Sequence, residues 1–256
     1  EQLPMMRRAL DEFERNMDDA LALAEWTGFA DRRKEAKARG KLRGIGIANA
    51  IEISAGPAPA PMPESAEIKF DQTGAVTVSM GTHSHGQGHE ITFAQIVADF
   101  LGLEINDVRV RYGDTDVIEF GTGTFGSRSV ITGSNSLRIS ADRLIERGKA
   151  IAAVHFEVDA GDIVFEAGQF AIAGTDRRIG IKDVAKLSYT LRDPSLGGAF
   201  GFSEKTIAAP KAATFPNGCH VCEVEIDPDT GICQVLNYVV VDDVGRVVNP
   251  MLVKGQ

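Results

Sequence analysis

The sequence predicts an α+β fold in which mixed sheets pack against helices, and three observations lead there. Apolar residues recur at helical spacing in some stretches and at strand spacing in others. Two strand pairs are joined by short turns that read as hairpins. Strands and helices follow one another irregularly along the chain, which is the pattern of the mixed class.

The elements follow in order. Leu10, Phe13, Met17, Leu21 and Ala24 recur at helical spacing behind Pro4, so an amphipathic helix is expected over 4–26. A charged helix should cover 31–38 and end at Gly40. In "GIGIANAIEIS", Ile45, Ile47, Ile51 and Ile53 fall on one face of a strand. "AGPAPAPMPES" reads as a stiff Pro-rich connection, and "AEIKFDQTGAVTVSMG" as a hairpin turning at Asp71 to Gly74. A helix over 90–101, the strand "VRVRY" and the loop "GDTDVIEFGTGTFGSRS" come next. A long helix should then carry Val130, Leu137, Ala141, Leu144 and Ile145 inward. Short strands are expected within 162–173, a short helix at "IKDVAKLS", and mostly irregular chain over 190–214. The stretch "CHVCEVEIDPDTGICQVLNYVVVDDVG" reads as strand, turn and longer strand, turning at Pro228 to Gly231.

With 256 residues the chain is long enough for one large domain or two small ones. Its hydrophobic share of 43% and charged share of 25% are those of an ordinary globular protein. A net charge of −9 argues against a nucleic-acid or anionic-membrane surface. No apolar run is long enough for a transmembrane segment. The N-terminal stretch has no apolar signal core, and three cysteines suit a reducing compartment, so the expected location is the cytoplasm, with membrane association only through partners. The chain lacks an initiating Met and stops at "VKGQ", which suggests a piece of something longer.

Two Gly-rich loops carry the candidate chemistry. In "GTHSHGQGHEITF", Gly86 and Gly88 flank Gln87 directly before a helix. Glycines let backbone come close to a ligand, and a helix start offers free N–H groups in a positive potential, a combination that suits a phosphate or pyrophosphate. A plain Gly-rich turn is the competing reading of this segment alone. His83 and His85 have a usable zinc spacing, but the helical His-Glu-x-x-His signature is absent and no third ligand stands out. The second loop, "GTGTFGSRS" at 121–129, again precedes a helix and adds Ser127, Arg128 and Ser129 as donors. Gly121, Gly123 and Gly126 match Gly-x-Gly-x-x-Gly, yet "DTDVIEF" separates them from the preceding strand, unlike a dinucleotide fold of the Rossmann type. Two such loops suggest one extended phosphorylated ligand gripped at two points.

Other motifs have plainer readings. The Cys219-x-x-Cys222 pair invites a zinc or redox reading, but an odd spacing should send the two to opposite faces of a strand, so buried structural thiols, not linked to each other, are expected. "DPDTG" resembles half of a calcium loop without its closing Glu, so a hairpin turn is expected. No Gly-x-Ser-x-Gly elbow and no obvious acid/base pair of carboxylates occurs. Spacing by itself leads to an α+β binder of a phosphorylated cofactor.

Four stretches together, "GQGHEITFAQIVAD", "GTGTFGSRS", "GCHVCEVEIDPDTG" and "VVVDDVGRVVNPMLVKGQ", resemble the molybdenum-binding large subunits of the xanthine dehydrogenase and aldehyde oxidase family. Within it, the nearest fit is to bacterial carbon monoxide dehydrogenase-type large chains. The resemblance covers most of 41–256, leaving 1–40 as a helical lead-in. It implies part of the family's molybdopterin-binding domain, incomplete at both ends. It also implies that Gly86, Gln87, Gly88 and His89, with Gly126, Ser127, Arg128 and Ser129, hold molybdopterin cytosine dinucleotide with its molybdenum, and that Gln256 falls near the pterin. Direct metal ligands and catalytic groups are not expected among these residues.

The implied activity is oxidation of carbon monoxide, an aldehyde or an N-heterocycle with water as oxygen source. The implied partners are an iron–sulfur subunit and an FAD-binding subunit. The family's base, a glutamate in Gly-x-Gly-Glu, is expected beyond Gln256, and the loop that can carry a copper-binding cysteine is expected before residue 1. This stretch alone is therefore expected to be inactive and to hold cofactor weakly. The competing reading is a stand-alone module that binds a dinucleotide without chemistry.

Overall fold

A computed structural model describes residues 2–56, 60–198 and 200–255, with side chains from residue 12 onward. The helices α1 (Gln2–Leu23) and α2 (Phe29–Ala38) lead into β1 (Leu42–Ile51). The chain continues through β2 (Glu64–Phe70), β3 (Val76–Met80), α3 (His89–Leu101) and β4 (Val108–Tyr112). The long α4 (Ser129–Phe156) precedes β5 (Ile163–Glu166), β6 (Gln169–Ile172), β7 (Arg178–Gly180) and α5 (Ile181–Leu187). Last come β8 (Phe202–Ala208), β9 (Asn217–Ile226), β10 (Cys233–Asp243) and α6 (Pro250–Gly255). The class is α+β with mixed sheets, as the sequence predicts.

The chain forms two compact units, one from residues 1–53 and 214–247, the other from 54–213 and 248–256. In the first, β9 is the centre of an antiparallel sheet ordered β1-β9-β10. Ala20 of α1 and Ala24 just past its end lie over Cys219 and Val221, with Met17, Ile45, Val239 and Val241 around them. Helix α1 stops earlier than the expected residue 26, because Glu25 takes a left-handed conformation before a short 3-10 turn at Trp26–Gly28. Ile47 and Ile51 are exposed despite their strand spacing, because α1 packs chiefly on β9 and β10 and leaves much of β1 uncovered.

Helix α2 is fixed by Arg32, which donates through Nε and Nη2 to the two carboxylate oxygens of Glu223 at 3.1 and 2.9 Å. Arg43 donates to the same carboxylate at 2.7 Å. Burial opposes the charge on Glu223, yet these hydrogen bonds prevail and hold its carboxyl below the usual carboxylate range.

Cys219 and Cys222 both lie within β9, opposite Asn49 and Gly46 respectively, so the odd spacing sends them to opposite faces. Cys219 is buried, Cys222 half-buried and Cys233 exposed, all as free thiols. "DPDTG" closes the β9–β10 hairpin, with Gly231 N–H donating to the Asp227 carbonyl and Lys41 pairing with the Asp227 carboxylate.

The second unit is built on a sheet ordered β4-β3-β2-β8. The β2–β3 hairpin turns where expected, with the Asp71 carboxylate accepting from Thr73 N–H and Ala75 N–H. The crossover through α3 makes β4 parallel to β3. The Pro-rich stretch expected at 55–65 lies partly outside the described residues, and from Glu64 it is already strand β2.

Phe70, Val78, Met80, Phe93, Val97, Leu137, Leu144, Phe170 and Phe202 belong to one continuous core. Each fully buried aliphatic or aromatic side chain contributes about 1.5–3 kcal/mol. Helix α4 approaches β2 and β8 through small polar residues. Ser136 donates to the Glu64 carbonyl and Ser140 to Thr206 Oγ1. Leu137, Ala141 and Leu144 are buried as predicted, but Val130 is 41% exposed. Val130 shares their helix face, yet it belongs to a first turn that borders a cavity instead of the sheet.

A smaller antiparallel sheet, β5-β6-β7, includes the short β7, which the sequence did not suggest. The largest correction concerns 190–214. Its expected irregular chain contains β8, paired along its whole length with β2. In "FSEKTIA" only Phe202 and Thr206 are buried, so the apolar alternation that marks a strand is too weak to read.

Candidate functional site

The two Gly-rich loops of the second unit converge on one cavity of about 260 Å³. It is lined by Gln87 and His89 from the first loop and by Thr124, Phe125, Ser127, Arg128, Ser129 and Val130 from the second. Each loop delivers a helix start to it. Helix α3 begins at His89 after Gly88, and α4 begins at Ser129 after Arg128. Unsatisfied N–H groups at two helix starts give the cavity a positive potential suited to an anion.

The backbone is shaped for close approach. Gly86 and Gly123 have φ of +100° and +87°, and a Cβ on either would meet nothing within 4 Å. Gly88 is held from behind, since a Cβ there would lie 2.9 Å from Leu252 of α6. In the second loop Gly126 and Ser127 are consecutive left-handed residues, which costs a non-glycine such as Ser127 on the order of 1–3 kcal/mol. Such strain persists only where the surroundings enforce it.

Arg128 supplies that enforcement. Its guanidinium donates from Nη1 to Glu64 Oε2 and, at 2.6 Å, to the Gly123 carbonyl, and from Nη2 to the Pro63 carbonyl at 2.8 Å. Much of this side chain therefore folds the loop, and most of its charge is balanced by Glu64. The bonds still leave Arg128 Nε buried without a partner among the described residues, as is His89 Nδ1. Two orphaned buried polar atoms, on two residues that line the same cavity, are what a site missing its polar ligand would show.

Thr124 ties the two loops together. Its Oγ1 accepts from His83 N–H at 2.9 Å, donates back to the His83 carbonyl, and accepts from Ser129 Oγ at 3.1 Å. Neither Thr124 nor Glu64 was singled out in the sequence. Thr124 sits inside the loop motif and could have been found there, whereas Glu64 has no local signature in "MPES". Gln87 uses its side-chain oxygen to accept from His85 N–H, bracing the first loop.

The three histidines of the first loop do not converge. His83 and His85 stack on each other with centroids 4.8 Å apart, and His83 meets Tyr112 edge-on. His89 turns inward against Phe93. Among the described residues no cluster of three or more His, Cys, Asp or Glu could hold a metal ion. Burial pushes the His89 imidazole below its ordinary value, against the opposing pull of the Glu90 carboxylate. Glu90 accepts from Tyr112 Oη and Ser84 Oγ, and the Tyr112 bond foremost holds its carboxyl below the usual range. Gln256 lies outside the described residues. Among the described residues no helix is long and apolar enough to cross a membrane.

Fold and cavity together define an α+β domain in which two Gly-rich loops meet at one cavity. Residues 19–256 match the model of the molybdopterin cofactor-binding domain, and the chain belongs to that family. It is 36% identical to the carbon monoxide dehydrogenase large chain of Afipia carboxidovorans over 235 residues, which is 88% of this chain and 29% of that one. It is 35% identical to the nicotine 6-hydroxylase large subunit of Paenarthrobacter nicotinovorans over 253 residues, 93% of this chain and 30% of that one. Among solved structures, reconstituted CO dehydrogenase from Oligotropha carboxidovorans superposes with a TM-score of 0.83 at 33% identity, over 95% of this chain and 32% of that one. The chain thus spans about 30% of the length of the relatives it matches.

Proposed function

We propose that this chain is the part of a molybdenum hydroxylase large subunit that grips molybdopterin cytosine dinucleotide. The observation that carries the proposal is the convergence of two Gly-rich helix starts on one cavity, two of whose lining residues, His89 and Arg128, each keep a buried polar atom without a partner among the described residues. When bound, the cofactor supplies the molybdenum centre at which carbon monoxide, an aldehyde or an N-heterocycle is oxidised with water as oxygen source.

The chain's own residues bind and orient. Backbone N–H groups at Gly86, Gln87, Gly88 and His89, and at Gly126, Ser127, Arg128 and Ser129, hold the phosphates. The His89 imidazole offers a hydrogen bond, and Arg128 Nε offers a second donor. A cavity of about 260 Å³ falls below the roughly 300–1,000 Å³ that encloses a drug-sized ligand, so it takes only a portion of the dinucleotide. In this reading residues 41–256 carry the binding role behind the lead-in of 1–40, and Gln256 approaches the pterin. The base for the reaction comes from outside residues 1–256, so this stretch alone does not turn over substrate and retains cofactor weakly.

Partner subunits carrying iron–sulfur clusters and FAD fit the same reading. One relative, 29% identical, is named a subunit of the 6-hydroxypseudooxynicotine dehydrogenase complex of Paenarthrobacter nicotinovorans. The test is to purify the full-length subunit containing these residues from cells that make the cofactor, then hydrolyse it in acid. Cytidine monophosphate released in step with molybdenum is the expected result, and a subunit with neither molybdenum nor nucleotide would overturn the proposal.

A further inference from the structure

Phe125 stands out in the cavity wall because it is 46% exposed, whereas the neighbouring Arg128 is wholly buried. An exposed aromatic at the tip of a strained, heavily braced loop needs a reason. The Arg128 guanidinium lies 5.6 Å from the Phe125 ring centroid, within reach of a cation–π contact. That guanidinium is itself fixed by Glu64, Gly123 and Pro63, so Phe125 has a rigid neighbour. Gly126, the next residue, has no side chain to lay over the ring.

We infer that Phe125 is a stacking platform for a planar heterocycle whose phosphates sit at the helix starts beside it. The inference rests on the phosphate-binding reading above and adds a specificity element to it. Anion binding by backbone N–H groups cannot tell one phosphate ester from another, while an aromatic face rewards an ester that carries a flat ring. Stacking of this kind is tolerant of ring identity because every heterocycle has a π-face. Both halves of a molybdopterin dinucleotide offer one, the cytosine and the pterin. The shared chemistry is a diphosphate ester of an aromatic heterocycle.

The experiment is titration calorimetry on the cofactor-free full-length subunit that contains these residues, with three probes: inorganic pyrophosphate, cytidine diphosphate and 6-hydroxymethylpterin diphosphate. The wild type should bind at least one heterocyclic probe on the order of tenfold more tightly than pyrophosphate. Phe125→Ala should remove that advantage and leave pyrophosphate affinity unchanged, and Phe125→Trp should keep it. Whichever heterocyclic probe shows the Phe125-dependent advantage identifies the half of the dinucleotide involved. Equal binding of all three probes by the wild type, or equal weakening of all three by Phe125→Ala, would overturn the stacking inference while leaving the anion site standing. Failure of every probe to bind would overturn both.

Discussion

Arg128 and Glu64 form an ion pair in which neither side chain has any solvent exposure. Taking two charges out of water is costly, and removing one partner strands the other, typically at about 3–5 kcal/mol. Glu64→Ala should therefore lower unfolding free energy by about that amount, measured by urea denaturation. Glu64→Met combined with Arg128→Met should be milder than the single change, because no charge is left buried alone. A single variant as stable as wild type would show that the pair does not brace the second loop.

Glu223 makes the first unit sensitive to acid. Its carboxyl is held below the ordinary value by Arg32 and Arg43, so the bound proton is disfavoured in the folded state. The stabilisation is present above the unfolded-state value, near pH 4.3, and is lost as pH falls through the lower folded-state value. Glu223→Gln should flatten the stability profile of this unit between those two values, followed by circular dichroism during acid titration. An unchanged acid transition in the variant would refute the linkage.

Gly102 and Gly168 leave each other no room. A Cβ on Gly102 would lie 2.1 Å from the backbone nitrogen of Gly168, and one on Gly168 would lie 2.4 Å from the Gly102 carbonyl oxygen. Gly102 also ends α3 in a left-handed conformation, which an alanine adopts only with strain. Gly102→Ala should cost more than about 1 kcal/mol for the conformation, with overpacking adding roughly 1–3 kcal/mol. Thermal unfolding would read the loss, and a variant melting at the wild-type temperature would contradict it.

The three cysteines should react at graded rates. Cys233 is exposed, Cys222 half-buried and Cys219 only 1% exposed, with burial also pushing its thiol up. A thiol reagent should label Cys233 first and Cys219 last, and denatured, non-reduced protein should titrate three thiols. A count of one would reveal a disulfide that this geometry does not contain.

Much of this arrangement was legible because it rests on local signals. Gly86, Gly88 and Gly126 announce turns that only permissive backbone makes easily, and the apolar spacing of Leu137, Ala141 and Leu144 announces the buried face of α4. What escaped the sequence is long-range. Glu64 matters because it meets Arg128, 64 residues later, and no spacing rule relates the two. Strand β8 is held by its pairing with β2 more than by its own apolar content. Val130 has the right helical phase for burial, but phase cannot say which turn of a helix outruns the sheet it packs on.

The division of the chain into units has a consequence for its birth on the ribosome. Among the described residues strand β1 pairs with β9 alone, and β9 begins at residue 217, after the whole stretch 54–213 that belongs to the other unit. At about 5–20 residues per second, synthesis of that intervening stretch takes roughly ten to thirty seconds. Throughout that interval α1 and β1 have emerged while their partners do not yet exist, and "GIGIANAIEIS" is an apolar strand with its pairing edge open. The stretch 54–213 is free to begin folding first, yet its unit closes only after 248–256 are made, so the two units finish almost together although they start far apart.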